Sequence, residues 1–303
     1  MTGADAPGSL LGAHVSTQGG VVTAPERGRA IGATAIQLFT KTPNQWREPA
    51  LTPETGADFR AAMAAHDIRV AISHDSYLIN LASPDAALRR RSEASFIAEL
   101  GRCEVLGLPW VVSHPGNFMD ERDAGLDRNA ESYARCLAQV PGSVRVAIET
   151  TAGSGTALGA RFEELADLVD RMPPEARERV GFCADTCHLF AAGYDLAYAF
   201  DGVWGDFDRL LGFERLAVLH LNDSKGALGS RLDRHELIGE GQLGPEPFRR
   251  IMTDPRLSAV IMVLETPKGD DGVTNDRQAL ERLRGWSRSG AEPERNTRVR
   301  GTL

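Results

Sequence analysis

A chain of 303 residues with 42% hydrophobic and 25% charged residues has the composition of a globular protein, long enough for one large domain or two small ones. It contains no run of about eighteen apolar residues that could span a membrane. The N-terminal MTGADAPGSL lacks the basic and apolar regions of a secretory signal, so the cytoplasm is the expected compartment. A net charge of −8 argues against a broad basic footprint for nucleic acid. That objection is weak, because bound divalent cations supply positive potential locally and net charge says nothing about its distribution.

Residues 1–9 read as a loose leader. After them come eight short, apolar, β-branched-rich segments: Leu10–Ser16, Ala35–Thr40, Val70–Asp75, Trp110–Gly116, Arg145–Thr150, Val180–Thr186, Leu216–Asp223 and Val260–Thr266. Runs such as WVVS, VLHL and VIMVLE suit strands covered on both faces, as in a parallel sheet. The stretches between them have helical character. Ser83 and Asp85 cap one such helix, which carries Leu88, Phe96, Ile97, Leu100 and Cys103 and is closed by Gly107. Strand and helix alternating in this way predict an α/β fold, a closed (β/α)8 TIM barrel occupying residues 10–286 as a single domain of the usual size of about 250 residues. From Ser287 the sequence SRSGAEPERNTRVRGTL is polar and interrupted by Gly and Pro, and residues 287–303 are expected to be a disordered tail. Cys103, Cys136, Cys183 and Cys187 form no CxxC pair and are expected to be reduced thiols.

Chemistry-bearing residues fall at the C-terminal ends of the predicted strands, where sites assemble in this fold. In order these are His74, His114, Glu149, Asp185, then His188 three residues on, His220, and Glu265; the loop after the seventh strand adds Asp233 and His235. Five of the chain's seven histidines thus gather on one rim with four carboxylates. Each one alone could be a hydrogen-bonded structural histidine or a helix-capping acid. Together they would be costly to desolvate unless a metal paired them. Imidazole and carboxylate without clustered thiolates suit Zn²⁺, with Mn²⁺ or Fe²⁺ as competitors. At three or four protein ligands per ion, such a set holds up to about three metals with one bridging carboxylate. Multi-metal centres of this kind serve phosphoryl transfer, generating hydroxide from water and neutralising the non-bridging and leaving oxygens, with no Ser or Cys nucleophile required.

The segments GAHVS (12–16), HDSYLINL (74–81), HPG (114–116), IETTAGSGTALG (148–159), GFCADTCHLFAAGYD (181–195) and HLNDSKGALGSRLDRHELIGEGQLG (220–244) closely resemble the endonuclease IV family, over roughly residues 10–286. The resemblance implies a trinuclear zinc centre and cleavage of DNA on the 5′ side of abasic sites, leaving a 3′-hydroxyl and accompanied by removal of blocking groups from 3′ ends. It implies that His74, His114 and Glu149 hold one zinc. Glu149, the central catalytic carboxylate, bridges to a second held by Asp185, His220 and Glu265, and His188, Asp233 and His235 hold the third. Tyr77 and Leu78 match a pair that such enzymes wedge into duplex DNA, in line with the use of apolar wedges to kink DNA, although packing at the rim is an alternative for both. In KTPNQWRE (41–48), Gln45 and Trp46 match, while Pro43 and Asn44 depart from the family pattern. His14 is expected beside the ligands rather than among them. Lys225, Arg231 and Arg234 are candidate phosphate contacts or else a solvated surface.

Three function classes are open to such a chain. The first is a phosphodiesterase acting on double-stranded DNA with abasic sites or blocked 3′ ends. The second is a sugar isomerase or epimerase on a related metal barrel, a group that relies chiefly on carboxylates around one or two ions. The third is a barrel kept for binding alone. The histidine-rich set and the Asp233-x-His235 loop favour the first, with a monomer expected because no exposed apolar stripe suggests an obligate partner.

Overall fold

Strands apolar along their whole length must be covered on both faces, and a closed parallel barrel wrapped in helices does this. The computed structural model describes residues 9–290. Its eight parallel strands are β1 (Leu11–His14), β2 (Ala35–Leu38), β3 (Val70–His74), β4 (Trp110–Ser113), β5 (Arg145–Glu149), β6 (Val180–Asp185), β7 (Leu216–His220) and β8 (Ile261–Leu264). They close in the order β1-β8-β7-β6-β5-β4-β3-β2. All eight expected segments contain a barrel strand, and the ladders stop short of the expected C-terminal ends, where the chain turns outward to carry the rim.

Inside the barrel lies a small apolar layer of Ala35, Ile72, Val112, Ala147, Cys183, Val218, Ile261 and Val263, each buried. A larger cluster between sheet and helices includes Phe59, Phe96, Tyr133, Phe162, Phe182, Phe207 and Phe248. Helix ends follow the chain's punctuation. Asp85 caps Ala86–Leu106, accepting the Ala87 and Leu88 amides at 2.7 and 3.2 Å, and Gly107 ends that helix at φ 76°. The long loop after β7 is folded around one side chain. The Asp223 carboxylate accepts the amides of Ser224, Gly239, Gly241 and Leu243 at 2.7–3.1 Å. An antiparallel ribbon pairing Asp223–Ser224 with His235–Glu236, which the sequence motifs do not announce, completes the loop.

The last helix, Thr274–Gly290, corrects the expected boundary at 286. Leu280 and Leu283 bury fully, Trp286 packs on the same core, and Arg249 lies 5.1 Å from the Trp286 ring, so the helix is held down to its final turn. Residues 287–290 are therefore helical. The rest of the expected tail, and residues 1–8 of the leader, lie outside the described residues. All four cysteines are free and buried. No helix among the described residues is long and apolar enough to cross a membrane.

Gly12 shows how tightly the barrel closes. A Cβ there would lie 1.6 Å from the Ala35 carbonyl oxygen across the β1–β2 ladder, a backbone atom that cannot step aside. Gly12→Ala is expected to cost about 3 kcal/mol or more and to lower the thermal unfolding midpoint by several degrees, measured by calorimetry. An unchanged midpoint would mean that the ladder can relax around the methyl group.

Candidate metal centre

Side chains alternate along a strand, so a residue two beyond an inward-facing one also faces inward, one layer higher. That rule builds the site. Ile72 leads to His74, Val112 to His114, Ala147 to Glu149, Cys183 to Asp185, Val218 to His220 and Val263 to Glu265. The apolar layer is the floor, and the donors form the layer above it at the C-terminal mouth.

Glu149, fully buried at the end of β5, is the hub. Its Oε2 lies 3.2 Å from His74 Nε2 and 3.0 Å from His114 Nε2. Its Oε1 lies 2.9 Å from His220 Nδ1 and 3.3 Å from His188 Nδ1. Around it, donor atoms fall into overlapping groups whose members all lie within 4.8 Å of one another: His74, His114 and Glu149; Glu149, Asp185, His220 and Glu265; and His188, Asp233 and His235. The nine candidates named from the sequence are thus brought together, and two further groups join Cys183 to Glu149 and His220, and Cys187 to Asp185 and His235. Tetrahedral zinc ligands at about 2.0–2.1 Å from the ion lie about 3.3 Å from each other. The contacts of 3.0–3.3 Å around Glu149 and Asp233 have that spacing.

Each of four histidines is anchored through one ring nitrogen and turns the other toward carboxylates. His74 Nδ1 donates to the Asp75 carbonyl at 2.9 Å, and His235 Nδ1 to the Glu265 carbonyl at 3.2 Å. His188 Nδ1 donates to the Thr150 carbonyl at 2.8 Å, leaving its Nε2 3.3 Å from Asp233. His220 Nε2 meets Gln37 Oε1 at 2.8 Å and turns Nδ1 to Glu149, Glu265 and Asp185. Such anchors fix the tautomer of metal-binding histidines. His235 Nε2 supplies the test of fit. It is buried with no hydrogen-bond partner, yet it lies 3.2 Å from an Asp233 oxygen and 3.7 Å from an Asp185 oxygen. A nitrogen held toward two carboxylates without hydrogen-bonding geometry is what a cation between them requires, and the donor set fits a metal centre.

Local structure sets the remaining orientations. Asp185 ends β6 and caps the helix Thr186–Ala192, its Oδ1 accepting the His188 amide at 2.8 Å, so one carboxylate aligns two of the candidates. Its Oδ2 accepts from Asn222 Nδ2 at 2.6 Å, while Asn222 Oδ1 accepts the Glu265 amide at 2.9 Å. Asp233 and His235 are delivered by the Asp223-folded loop.

Electrostatically the centre is a buried lattice of opposite charges. Burial by itself would lower the His74 pKa, but the Glu149 carboxylate outweighs it and lifts His74 to about 10. His235 rises to about 9 against the same penalty, through Asp185 and Asp233. His188 and His220 are also held well above the usual histidine range. Glu149 and Glu265 are held well below theirs by the surrounding imidazoles despite their burial, and the half-exposed Asp233 is held down by His188 and His235. Cys183 and Cys187 lie beside the donors, and burial pushes both thiols up to about 12.

The motifs leave Gln37 and Asn222 unmarked. The two-residue rule would have found Gln37, since Ala35 faces the barrel interior and Gln37 is the polar member of the strand AIQL. His14 sits beside the ligands, its Nδ1 3.0 Å from Gln37 Nε2 and 3.6 Å from Glu265 Oε1.

The candidate DNA contacts line the same mouth less uniformly. Tyr77 is 60% exposed with its ring 5.3 Å from Phe39 and 6.0 Å from His74, whereas Leu78 is half-buried. Gln45 is exposed and the Trp46 ring lies 4.5 Å from the Arg91 guanidinium. Their loop is tied down by Glu48, which accepts from Lys41 at 2.5 Å and from Arg102 at 2.7 Å. A groove of about 430 Å³, lined in part by His14, Phe39, Thr42, Pro43 and Lys268, joins that loop to the centre. Lys225, Arg231 and Arg234 are exposed on the loop that carries Asp233. Arg231 has a left-handed backbone at φ 57°, and Arg234 donates to the Asp233 carbonyl at 2.7 Å.

Comparison with known proteins identifies the family. The family described as a xylose isomerase-like TIM barrel matches residues 25–289. A protein from Chloroflexus aurantiacus named "Probable endonuclease 4" is 45% identical over 278 residues, covering 90% of this chain and 96% of that one. The crystal structure of endonuclease IV from Thermus thermophilus superposes with a TM-score of 0.81 at 39% identity, over 92% of this chain and 99% of the other. D-psicose 3-epimerase from Clostridium cellulolyticum, at 14% identity and a TM-score of 0.65 over 93% and 100% of the two chains, shares the fold alone. The chain belongs to the endonuclease IV family.

Proposed function

We propose that this protein is a zinc-dependent DNA repair nuclease of the cytoplasm that hydrolyses the phosphodiester 5′ to abasic sites, leaving a 3′-hydroxyl, and also clears blocked 3′ ends. The observation that carries the proposal is Glu149, one buried carboxylate in reach of four histidines drawn from three donor groups. In this reading three zinc ions are held: one by His74, His114 and Glu149; one by Glu149, Asp185, His220 and Glu265; one by His188, Asp233 and His235. Mn²⁺ or Fe²⁺ could substitute. When bound, such a cluster supplies an activated water and neutralises the oxygens of a phosphodiester during in-line displacement.

The chain's own residues account for the rest. The apolar floor excludes water from beneath the centre, and the anchored histidines keep the donors preorganised. Tyr77, exposed at the rim beside Phe39 and His74, would meet a distorted duplex together with the half-buried Leu78. Gln45, Trp46, Lys225, Arg231 and Arg234 would contact the strands around the lesion. Metal charge at the mouth offsets the overall −8 for a polyanionic substrate. The epimerase reading shares the fold, but five histidines around four carboxylates exceed what one or two carboxylate-bound ions need.

Three outcomes test this. Incubated with a duplex carrying one abasic analogue, the protein is expected to incise on the 5′ side of the lesion, to stop after chelation and to resume when zinc is restored; folded, zinc-loaded protein that leaves the duplex intact would sink the proposal. Glu149→Ala is expected to empty the sites it shares and to reduce incision by roughly a thousandfold or more, the loss of several kcal/mol of electrostatic stabilisation; full retention of metal and activity would misplace the hub. The third concerns pH. His74 and His235, raised to about 10 and about 9 in the metal-free fold, carry protons at neutral pH that an incoming ion must displace. Apparent zinc affinity should therefore rise from pH 6 toward pH 9, with proton release seen by calorimetry in buffers of different ionisation enthalpy. Zinc affinity that stays flat over this range would contradict the assignment of these histidines as ligands.

A further inference from the structure

We propose that Gln37 is a positioning residue, which selects the ring nitrogen that His220 offers to a metal and ties that choice to the Glu265 carboxylate. This rests on the metal-centre reading above. Gln37 is fully buried near the end of β2, inside the barrel. Its Oε1 lies 2.8 Å from His220 Nε2, and its Nε2 lies 2.6 Å from Glu265 Oε1 and 3.0 Å from His14 Nδ1. An amide nitrogen has two hydrogens and an amide oxygen has none, so every hydrogen-bonding capacity facing the site is used in one orientation only.

The order of cause runs from the carboxylate to the imidazole. Turned the other way, the amide would press its oxygen against Glu265 Oε1 at 2.6 Å, two acceptors in repulsion inside a buried site. Glu265 therefore fixes which end of Gln37 meets His220. The Gln37 oxygen can only accept, so His220 must carry its proton on Nε2. That makes Nδ1 the nitrogen whose proton an incoming metal would displace, among Glu149 Oε1 at 2.9 Å, Glu265 Oε2 at 3.2 Å and Asp185 Oδ2 at 3.9 Å. His74, His188 and His235 receive the same service from backbone carbonyls, which cannot be mutated away. His220 alone of the four depends on a side chain, and that side chain also touches a second ligand of the same group.

Two measurements test this on the full-length protein. In zinc-loaded wild type with ¹⁵N-labelled histidine, NMR is expected to show His220 protonated at Nε2 and metal-bound at Nδ1. In Gln37→Met, with Gln37→Leu as a second variant, stepwise competition against a chromophoric chelator should show one zinc bound roughly 10–100-fold more weakly, the others unchanged. The melting point of the metal-free protein serves as the control: a purely structural role would lower it without changing the His220 tautomer or singling out one zinc. His220 protonated at Nδ1 in the loaded wild type, or wild-type affinity for every zinc in a folded variant, would overturn the proposal and leave the metal centre standing. A protein that takes up no zinc would overturn both.

Discussion

A buried carboxylate surrounded by imidazoles is the interaction on which the rest of this molecule depends. Glu149 sits at the end of β5 with no exposure to solvent, and four histidines from β3, β7 and the segments after β4 and β6 converge on its two oxygens. Removing so many polar groups from water is costly unless opposite charges or a cation pair them. Opposite charge does that pairing here: the Glu149 carboxylate is held down, and His74, His188 and His220 are lifted. The same arrangement makes the centre ready to exchange protons for metal ions, because the donors are already at ligand spacing.

Barrel geometry makes this convergence possible. Eight short strands present a narrow apolar layer, and the next inward position on each is free to carry a polar group toward a shared axis. Donors at the ends of β3, β5, β6 and β7 are thus fixed by rigid backbone. Asp233 and His235 are not on barrel strands, and their position is secured by the Asp223 carboxylate gathering four loop amides and by a two-residue ribbon. The fold is common to sugar epimerases, so the barrel alone does not decide chemistry. The histidine-rich rim makes that distinction.

Much of this was legible in the sequence because it depends on local signals. Continuous apolar runs mark buried parallel strands, and strand ends locate the rim, so His74, Glu149, Asp185 and His220 could be placed before any coordinates. Gln37 was not legible through motifs, since a lone glutamine in a strand carries no spacing signature; only its register with Ala35 and the position of β8 beside β1 reveal that it faces His220 and Glu265. The ribbon containing His235 escaped because two-residue strands have no period to detect. The last helix outran its expected end because Trp286, a tertiary anchor, overrides the polar composition that follows it. The candidate DNA contacts carry the weakest sequence signal, because exposed side chains such as Gln45 and Tyr77 are not selected by packing in the core.

The most direct test of a polynuclear centre organised by Glu149 is anomalous diffraction at the zinc edge from crystals of the zinc-loaded protein. The account predicts three peaks, one within each of the donor groups of His74, His114 and Glu149; of Glu149, Asp185, His220 and Glu265; and of His188, Asp233 and His235, with the first two sharing Glu149. A single peak, or no peak in either of the two groups that contain Glu149, would contradict it.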